Sequence, residues 1–381
     1  MTARIPLSAP DITEAEVAAV TAVLRTPYLS QGSELAAFEA ELAAYHDVDH
    51  AVAVSSGTAG LHLALLTLGV GEGDEVILPS FTFVAVVNAV LQVRASPVLA
   101  EIDPVTLNLD PAAVEHAVSP RTRAILAVHT FGIPAQLDVL KELSRRHQLL
   151  LIEDASEAIG ARFDGRIAGS FGDLAVLGFY PNKQITTGEG GAVLLRDSAH
   201  AARLRRLRNQ GRDSSPDASP DASVDWLDHV EPGYNYRLSE LACALGRVQL
   251  QRIDEILALR RQAAERYDAL LADVPGLVRP PLLLPRRELS WFVYVVRLPE
   301  GADRERVQAA LVRRGIATGR YFAPIHMQPV WRASNMTGVG HFSLTESIAR
   351  RTLALPFFNR ITEGQQREVA NALREAISSV A

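Results

Sequence analysis

Apolar and polar positions follow two periods along this chain. Short, nearly continuous apolar runs bounded by turn residues recur at 50–55 (HAVAVS), 74–79 (DEVILP), 97–102, 123–129 (RAILAVH), 149–152 and 174–179. Between them, at 59–68, 82–92, 111–118, 136–146 and 199–207, apolar residues return every three or four positions. The first pattern predicts buried strands and the second amphipathic helices. Their alternation predicts a mostly parallel sheet covered by helices on both faces, an α/β architecture whose ligands gather at the carboxyl ends of the strands. Two more helices are predicted ahead of the sheet, one opening at Asp11-Ile12-Thr13 and running to Leu24, the other from Glu34 to Tyr45.

Beyond residue 207 the pattern changes. The stretch 213–223 is poor in apolar residues and repeats SPDA, which predicts a mobile surface loop. A long amphipathic helix is predicted from Ser239 to about Leu271, then a proline-rich extended segment from Pro275 to Pro285. A strand at 291–298 and helices at 303–314, 345–351 and 363–379 complete a smaller α+β unit. The expected division is a large domain at 1–250 and a small C-terminal domain at 251–381, led by the long helix.

Composition narrows the function classes. With 381 residues and 48% hydrophobic content, the chain can bury a large core. A net charge of -6 opposes nucleic acid or an anionic membrane as the main partner. The single cysteine, Cys243, allows no intrachain disulfide and sits in a helical pattern as a small buried hydrophobe. No signal-like segment opens the chain, and no apolar run nears the roughly 18 residues that a membrane span needs. A soluble, cytoplasmic protein without a metal site is expected.

Three features fall at predicted strand ends. Ser56-Gly57-Thr58-Ala59 is a strand-to-helix turn whose amides and Thr58 hydroxyl can face an anion, or serve as an ordinary helix cap. Asp154, after the strand 149–152, can cap the next helix or pair with a cationic ring nitrogen. Lys183 lies between two buried strands, on a connection closed by the glycine turn TTGEGG; a lysine there either snorkels to water or acts as an amine. Together, an amine, a carboxylate and a phosphate cradle fit a lysine Schiff base to pyridoxal phosphate. The stretch Gly69-Val70-Gly71-Glu72-Gly73 precedes a strand and is no nucleotide fingerprint.

The blocks SSGTAGLHLAL, GDEVILPSFTF, IEDASEAIGA, FYPNKQITTGEGG and GYNYRLSELACALG, spread from about Ile5 to His326, resemble the sugar aminotransferases of the DegT/DnrJ/EryC1/StrS family. These are fold type I pyridoxal phosphate enzymes. The resemblance implies that Lys183 carries the cofactor covalently as an internal aldimine and shuttles protons, and that Asp154 partners the pyridine nitrogen. It implies Gly57 and Thr58 as phosphate ligands, Phe83 as the aromatic stacked on the ring, and Asn235 as a phosphate contact reaching over from a neighbouring subunit, hence a homodimer with shared active sites. Glutamate becomes the amino donor, a nucleotide-linked keto sugar the acceptor, and pyridoxamine phosphate the form in between.

Two positions depart from the family's commonest pattern. Many members carry serine five residues before the lysine, where this chain has Gly178, so a phosphate-binding hydroxyl is lost unless a neighbour compensates. Glu157 stands where glutamine or histidine often contacts the ring hydroxyl, and resembles perosamine-type members acting on 4-keto-6-deoxy sugars. His326 and Tyr321 are candidates for the substrate cleft or for packing, and Arg237 for a carboxylate, a phosphate or an interface salt bridge. Packing is the expected role of His129, and a turn carboxylate that of Glu189. Two alternatives stand beside transamination: a keto-sugar dehydratase, although in that branch histidine replaces the lysine, and a non-catalytic regulatory homologue.

Overall fold

The computed structural model describes residues 4–212, 228–332 and 341–379; the SPDA repeat lies outside the described residues. The chain opens with α1 (Glu14–Leu24) and α2 (Ser33–Tyr45), then alternates β1 (His50–Val54), α3 (Gly57–Thr67), β2 (Glu75–Pro79), α4 (Ala85–Gln92), β3 (Ser96–Ala100), α5 (Pro111–Ala117), β4 (Thr122–Val128), α6 (Leu137–His147) and β5 (Leu150–Asp154). A small hairpin, β6 (Arg162–Phe163) and β7 (Arg166–Ile167), leads to β8 (Leu174–Gly178), β9 (Gly191–Leu195) and α7 (Ser198–Arg208).

Seven strands form one sheet in the order β1-β9-β8-β5-β4-β2-β3. β9 runs antiparallel to β1 and β8, and the other pairs are parallel. The mostly parallel α/β sheet is therefore present, with one reversed strand. Its strands are buried almost throughout because both faces are covered. Val52, Val54, Leu78 and Leu126 pack against Leu63, Leu65 and Val87 from α3 and α4 on one face. On the other, Ile77, Ile125 and Leu151 meet Leu140 and Leu143 of α6, and Ala51, Ala53 and Leu177 meet Phe38 and Leu42 of α2.

Next, α8 (Glu240–Gln251) packs against α2, and the C-terminal part holds α9 (Ile253–Leu270), β10 (Arg287–Glu288), β11 (Tyr294–Arg297), α10 (Arg304–Arg313), α11 (Pro329–Arg332), α12 (Ser343–Arg351), β12 (Thr352–Leu355) and α13 (Glu363–Ser378). β11 and β12 pair antiparallel over a core of Tyr267, Tyr294, Leu311, Leu353 and Leu373. Among the described residues no helix is long and apolar enough to cross a membrane.

The helix predicted from Ser239 to about Leu271 is two helices, broken at Arg252. The break has a partner. Arg252 donates to Glu16 at 2.6 Å and to Asp11 at 3.2 Å, while Gln249 donates to Glu16 and to the Asp11 carbonyl, both at 2.8 Å. Arg360 and Asn359 also donate to Asp11, so one buried cluster ties the N-terminal segment to the helix break and to the C-terminal part. Burial pushes the Glu16 carboxyl up, but the hydrogen bonds from Thr13, Gln249 and Arg252 outweigh it and bring it to about 2 from an ordinary 4.5.

A carboxylate held below its unfolded value stabilises the fold above pH 4.5, and that contribution is lost as pH falls towards 2. Glu16→Gln is expected to melt below the parent protein at neutral pH. The gap in melting temperature should close as pH is lowered from 4.5 towards 2; a gap independent of pH would contradict the assignment.

Candidate active site

The carboxyl edge of the sheet collects the site because three connections meet there. Between β1 and α3 the chain turns at Ser56, whose Oγ accepts the Ala59 N–H at 3.1 Å and caps the helix. The turn can approach the sheet because Gly178 and Gly191 face each other on β8 and β9. A Cβ on Gly191 would stand 2.7 Å from the Gly57 nitrogen and 2.7 Å from the Leu177 carbonyl oxygen. The missing side chain at Gly191 therefore lets the amides of the first turn of α3 open onto the strand ends.

β5 ends in Glu153 and Asp154, which point to opposite faces. Glu153 is fully buried and accepts the N–H groups of Gly169, Phe171 and Gly172 at 2.7–2.8 Å. His129 Nδ1 accepts the Ala135 N–H at 3.1 Å, which leaves Nε2–H to donate to Glu153 at 2.9 Å. Burial pushes the Glu153 carboxyl up, yet these donors win and hold it below its ordinary range. His129 thus braces the strand ends. Asp154 faces the site, with Oδ1 accepting the Ser156 N–H at 3.0 Å.

Lys183 follows the turn Tyr180-Pro181-Asn182, closed by Lys183 N–H to the Tyr180 carbonyl at 2.9 Å and by Phe179 N–H to the Gly190 carbonyl at 2.9 Å. Its side chain is only 15% exposed. Nζ lies 3.4 Å from Glu157 Oε1 and 4.0 Å above the centre of the Phe292 ring. Arg260, buried on α9, donates to the Lys183 carbonyl at 3.1 Å and to the carbonyls of Trp291 and Phe292 at 3.0 Å each. One guanidinium therefore fixes both the loop that carries the amine and the loop that carries the ring beneath it.

Glu157 is held from three sides. Its Oε2 accepts the Phe131 N–H at 2.9 Å, a group aimed by the left-handed backbone of Phe131 (φ 59°), and its carbonyl accepts Gln184 at 2.6 Å. Burial pushes its carboxyl above the ordinary range, while the Lys183 ammonium and the Phe131 amide hold it back. The amine and the carboxyl share one dry corner of the site.

A cavity of about 520 Å³ brings together Gly57, Thr58, Phe83, Asp154, Glu157, Lys183 and Tyr321, as the sequence predicted, along with Glu189. Phe83 lies two residues ahead of α4, outside the helix that the apolar pattern extended to it, and is 59% exposed at the mouth. The other three predicted residues lie outside this cavity. Asn235 forms an isolated bridge with Asn209, and Arg237 donates to the Asn209 side chain at 2.8 Å. His326 is wedged between the Ser80 hydroxyl, 2.5 Å away, and Glu346 at 3.3 Å. The sequence reading passed over Ser156, Asn182, Phe292 and Phe322, which also line the cavity. Phe292 sits in a run, WFVYVV, that reads as core; Ser156 follows Asp154 by two residues and was within reach of the same motif.

These groups fit pyridoxal phosphate. An amine is available at Lys183, a carboxylate at Asp154 for a ring nitrogen, and a helix N-terminus with hydroxyls for a phosphate. The glycines leave the room a phosphate needs. The chain matches the DegT/DnrJ/EryC1/StrS aminotransferase family over residues 10–374. It is 39% identical over 378 residues to the GDP-perosamine synthase of Caulobacter vibrioides, covering 98% of each chain. The chain belongs to the DegT/DnrJ/EryC1/StrS aminotransferase family. It is also 39% identical over 360 residues to the dTDP-3-amino-3,4,6-trideoxy-alpha-D-glucose transaminase of Streptomyces venezuelae, covering 94% of this chain and 91% of that one. Its fold superposes on S. venezuelae DesV in complex with a ketimine intermediate, with a TM-score of 0.88 at 38% identity over the full length of both. The aminotransferase fold expected from the sequence is present, and this chain is a pyridoxal phosphate-dependent sugar aminotransferase.

The close approach of the aminotransferase's α3 to β9 is testable. Gly191→Ala forces a methyl into backbone 2.7 Å away. It is expected to destabilise the fold by about 1–3 kcal/mol, as overpacking does, and to weaken phosphate-dependent cofactor uptake, read by thermal melting and equilibrium dialysis. Unchanged melting and uptake would contradict the packing described.

Proposed function

We propose that this enzyme moves the amino group of glutamate to a nucleotide-linked 4-keto-6-deoxyhexose, in amino-sugar or polysaccharide biosynthesis. The observation that carries the reading is the largely buried Lys183 amine, 3.4 Å from Glu157 and sharing a cavity with Asp154. The 39% identity to a GDP-perosamine synthase supports the sugar class, as does Glu157 at the position noted above. When bound, pyridoxal phosphate supplies the electron sink for breaking the donor's Cα–H bond.

The residues divide the work. The Lys183 amine is the group that would hold the cofactor covalently and, when freed, would move the proton between the donor Cα and the cofactor C4′. Asp154 keeps the ring nitrogen protonated. Glu157 meets the ring hydroxyl and sets the charge beside Nζ. Gly57, Thr58 and the first amides of α3 would hold the phosphate, and Phe83 would cover the ring at the mouth. Phe292, Phe322 and Tyr321 close the apolar wall that keeps water from the amine. With the keto sugar in place of the donor's product, the same groups act in reverse order.

Asn235 stands opposite Asn209 in a bridge made by Gln210 N–H to the Tyr234 carbonyl and Tyr236 N–H to the Arg208 carbonyl, Arg237 donates to the Asn209 side chain, and both lie outside their own chain's cavity. This placement supports a homodimer in which Asn235 reaches the phosphate of the neighbouring site and Arg237 meets a substrate anion. We assign His326 to positioning the wall beside the sugar. The break at Arg252 supports dividing the chain into units of 1–250 and 251–381, and the protein is assigned to the cytoplasm.

Incubation with glutamate and a GDP- or dTDP-linked 4-keto-6-deoxyhexose should yield the 4-amino sugar and 2-oxoglutarate, read by mass spectrometry. Lys183→Ala should form none, and Asp154→Ala should lose about 10²–10⁴-fold in turnover with little change in melting temperature. Turnover without an amino donor, or a fully active Asp154→Ala, would overturn the proposal.

A further inference from the structure

Gly178 removes a hydroxyl from the place where the resemblance expects a phosphate ligand. The structure shows what stands there. A Cβ on Gly178 would lie 3.1 Å from the Ser156 Cβ and 3.3 Å from its Oγ. A Cβ on Gly57 would lie 3.2 Å from the same Oγ, and 3.5 Å from the Gly178 Cα. Ser156, Gly57 and Gly178 thus surround one point on the cavity wall, beside the first turn of α3. Ser156 is positioned by its own backbone, whose N–H donates to Asp154 Oδ1 at 3.0 Å, and by Ala155 N–H to the Val176 carbonyl at 2.8 Å. Among the described residues none hydrogen-bonds its hydroxyl, which is half-buried and opens into the cavity.

We propose that Ser156 supplies the phosphate-binding hydroxyl that Gly178 does not, so that the anchor has moved from β8 to the turn after β5. The inference rests on the pyridoxal phosphate reading above. The two arrangements compete for space: a serine at 178 would bring its Cβ to 3.1 Å from the Ser156 Cβ and 3.3 Å from its Oγ, so that one side chain must yield by a few tenths of an ångström unless residue 156 loses its own Cβ. Ser156 also links the two ends of the cofactor, since the same residue that reaches the phosphate fixes Asp154 through its amide. Its side chain alone carries the phosphate role, and its amide survives any substitution other than proline.

The test compares binding of pyridoxamine phosphate and pyridoxamine, by calorimetry, to the cofactor-free full-length chain and its variants. The ratio of the two dissociation constants reports the phosphate contacts alone. Ser156→Ala is expected to weaken pyridoxamine phosphate about tenfold, the scale of one hydrogen bond to a charged group, and to leave pyridoxamine unchanged. The double variant Ser156→Gly/Gly178→Ser, which removes the Cβ that a serine at 178 would meet, is expected to recover most of the loss. An unchanged ratio in Ser156→Ala, or an equal loss for both ligands, would overturn the proposal. Failure of the parent chain to prefer pyridoxamine phosphate over pyridoxamine would instead overturn the cofactor reading itself, and with it this one.

Discussion

A primary amine taken most of the way out of water must be paired or neutralised, and the active site is arranged around that constraint at Lys183. Its pairing with Glu157 is the contact on which the rest depends. Glu157 is itself buried and disfavoured as an anion, so each group supplies what the other lacks. Neither is free to move: the Phe131 amide fixes the carboxylate and Gln184 the Glu157 backbone, while Arg260 fixes the backbone of the lysine and of the aromatic residue below it. The helix that carries Arg260 belongs to the C-terminal core, while Asp154 ends a strand of the sheet and Glu157 lies in the turn that follows it. The amine is thus set by both parts of the molecule at once.

Much of this architecture was legible in the sequence. Parallel strands buried on both faces give continuous apolar runs, and six such runs located six of the seven strands, with the seventh, β9, appearing as the short run after the glycine turn. Its direction was not legible, because burial pattern carries no sign of polarity. The break at Arg252 was hidden for a related reason: apolar periodicity continues across it, and its cause is Asp11 and Glu16, some 240 positions away. β12 was missed because TLAL follows a helix without any turn residue.

The site was legible where a motif fixes the backbone and hidden where the fold brings distant residues together. Thr58, Asp154 and Lys183 each sit at a strand end that the pattern predicts, and the cavity contains all three. Phe292 falls in a predicted strand and Arg260 in a predicted amphipathic helix, and nothing local says that an aromatic ring and a guanidinium from residues 260–292 will lie against the loop of a lysine at 183. Ser156 went unnoticed because a serine two residues after a strand end is most simply a turn former.

The cations of the chain add one more constraint. Of 38 lysines and arginines only two are lysines, Lys141 and Lys183. Lys141 is on α6, where its Nζ donates to the Phe171 carbonyl at 3.1 Å on the protein surface. Arginine meets every structural need for a positive charge here, but its guanidinium stays protonated and cannot form a Schiff base. The measurement that tests the central claim most directly is therefore borohydride reduction of the protein loaded with pyridoxal phosphate, followed by peptide mass spectrometry. A phosphopyridoxyl group on Lys183 and none on Lys141 is the expected result; an unmodified Lys183, or label carried by Lys141 alone, would contradict the account.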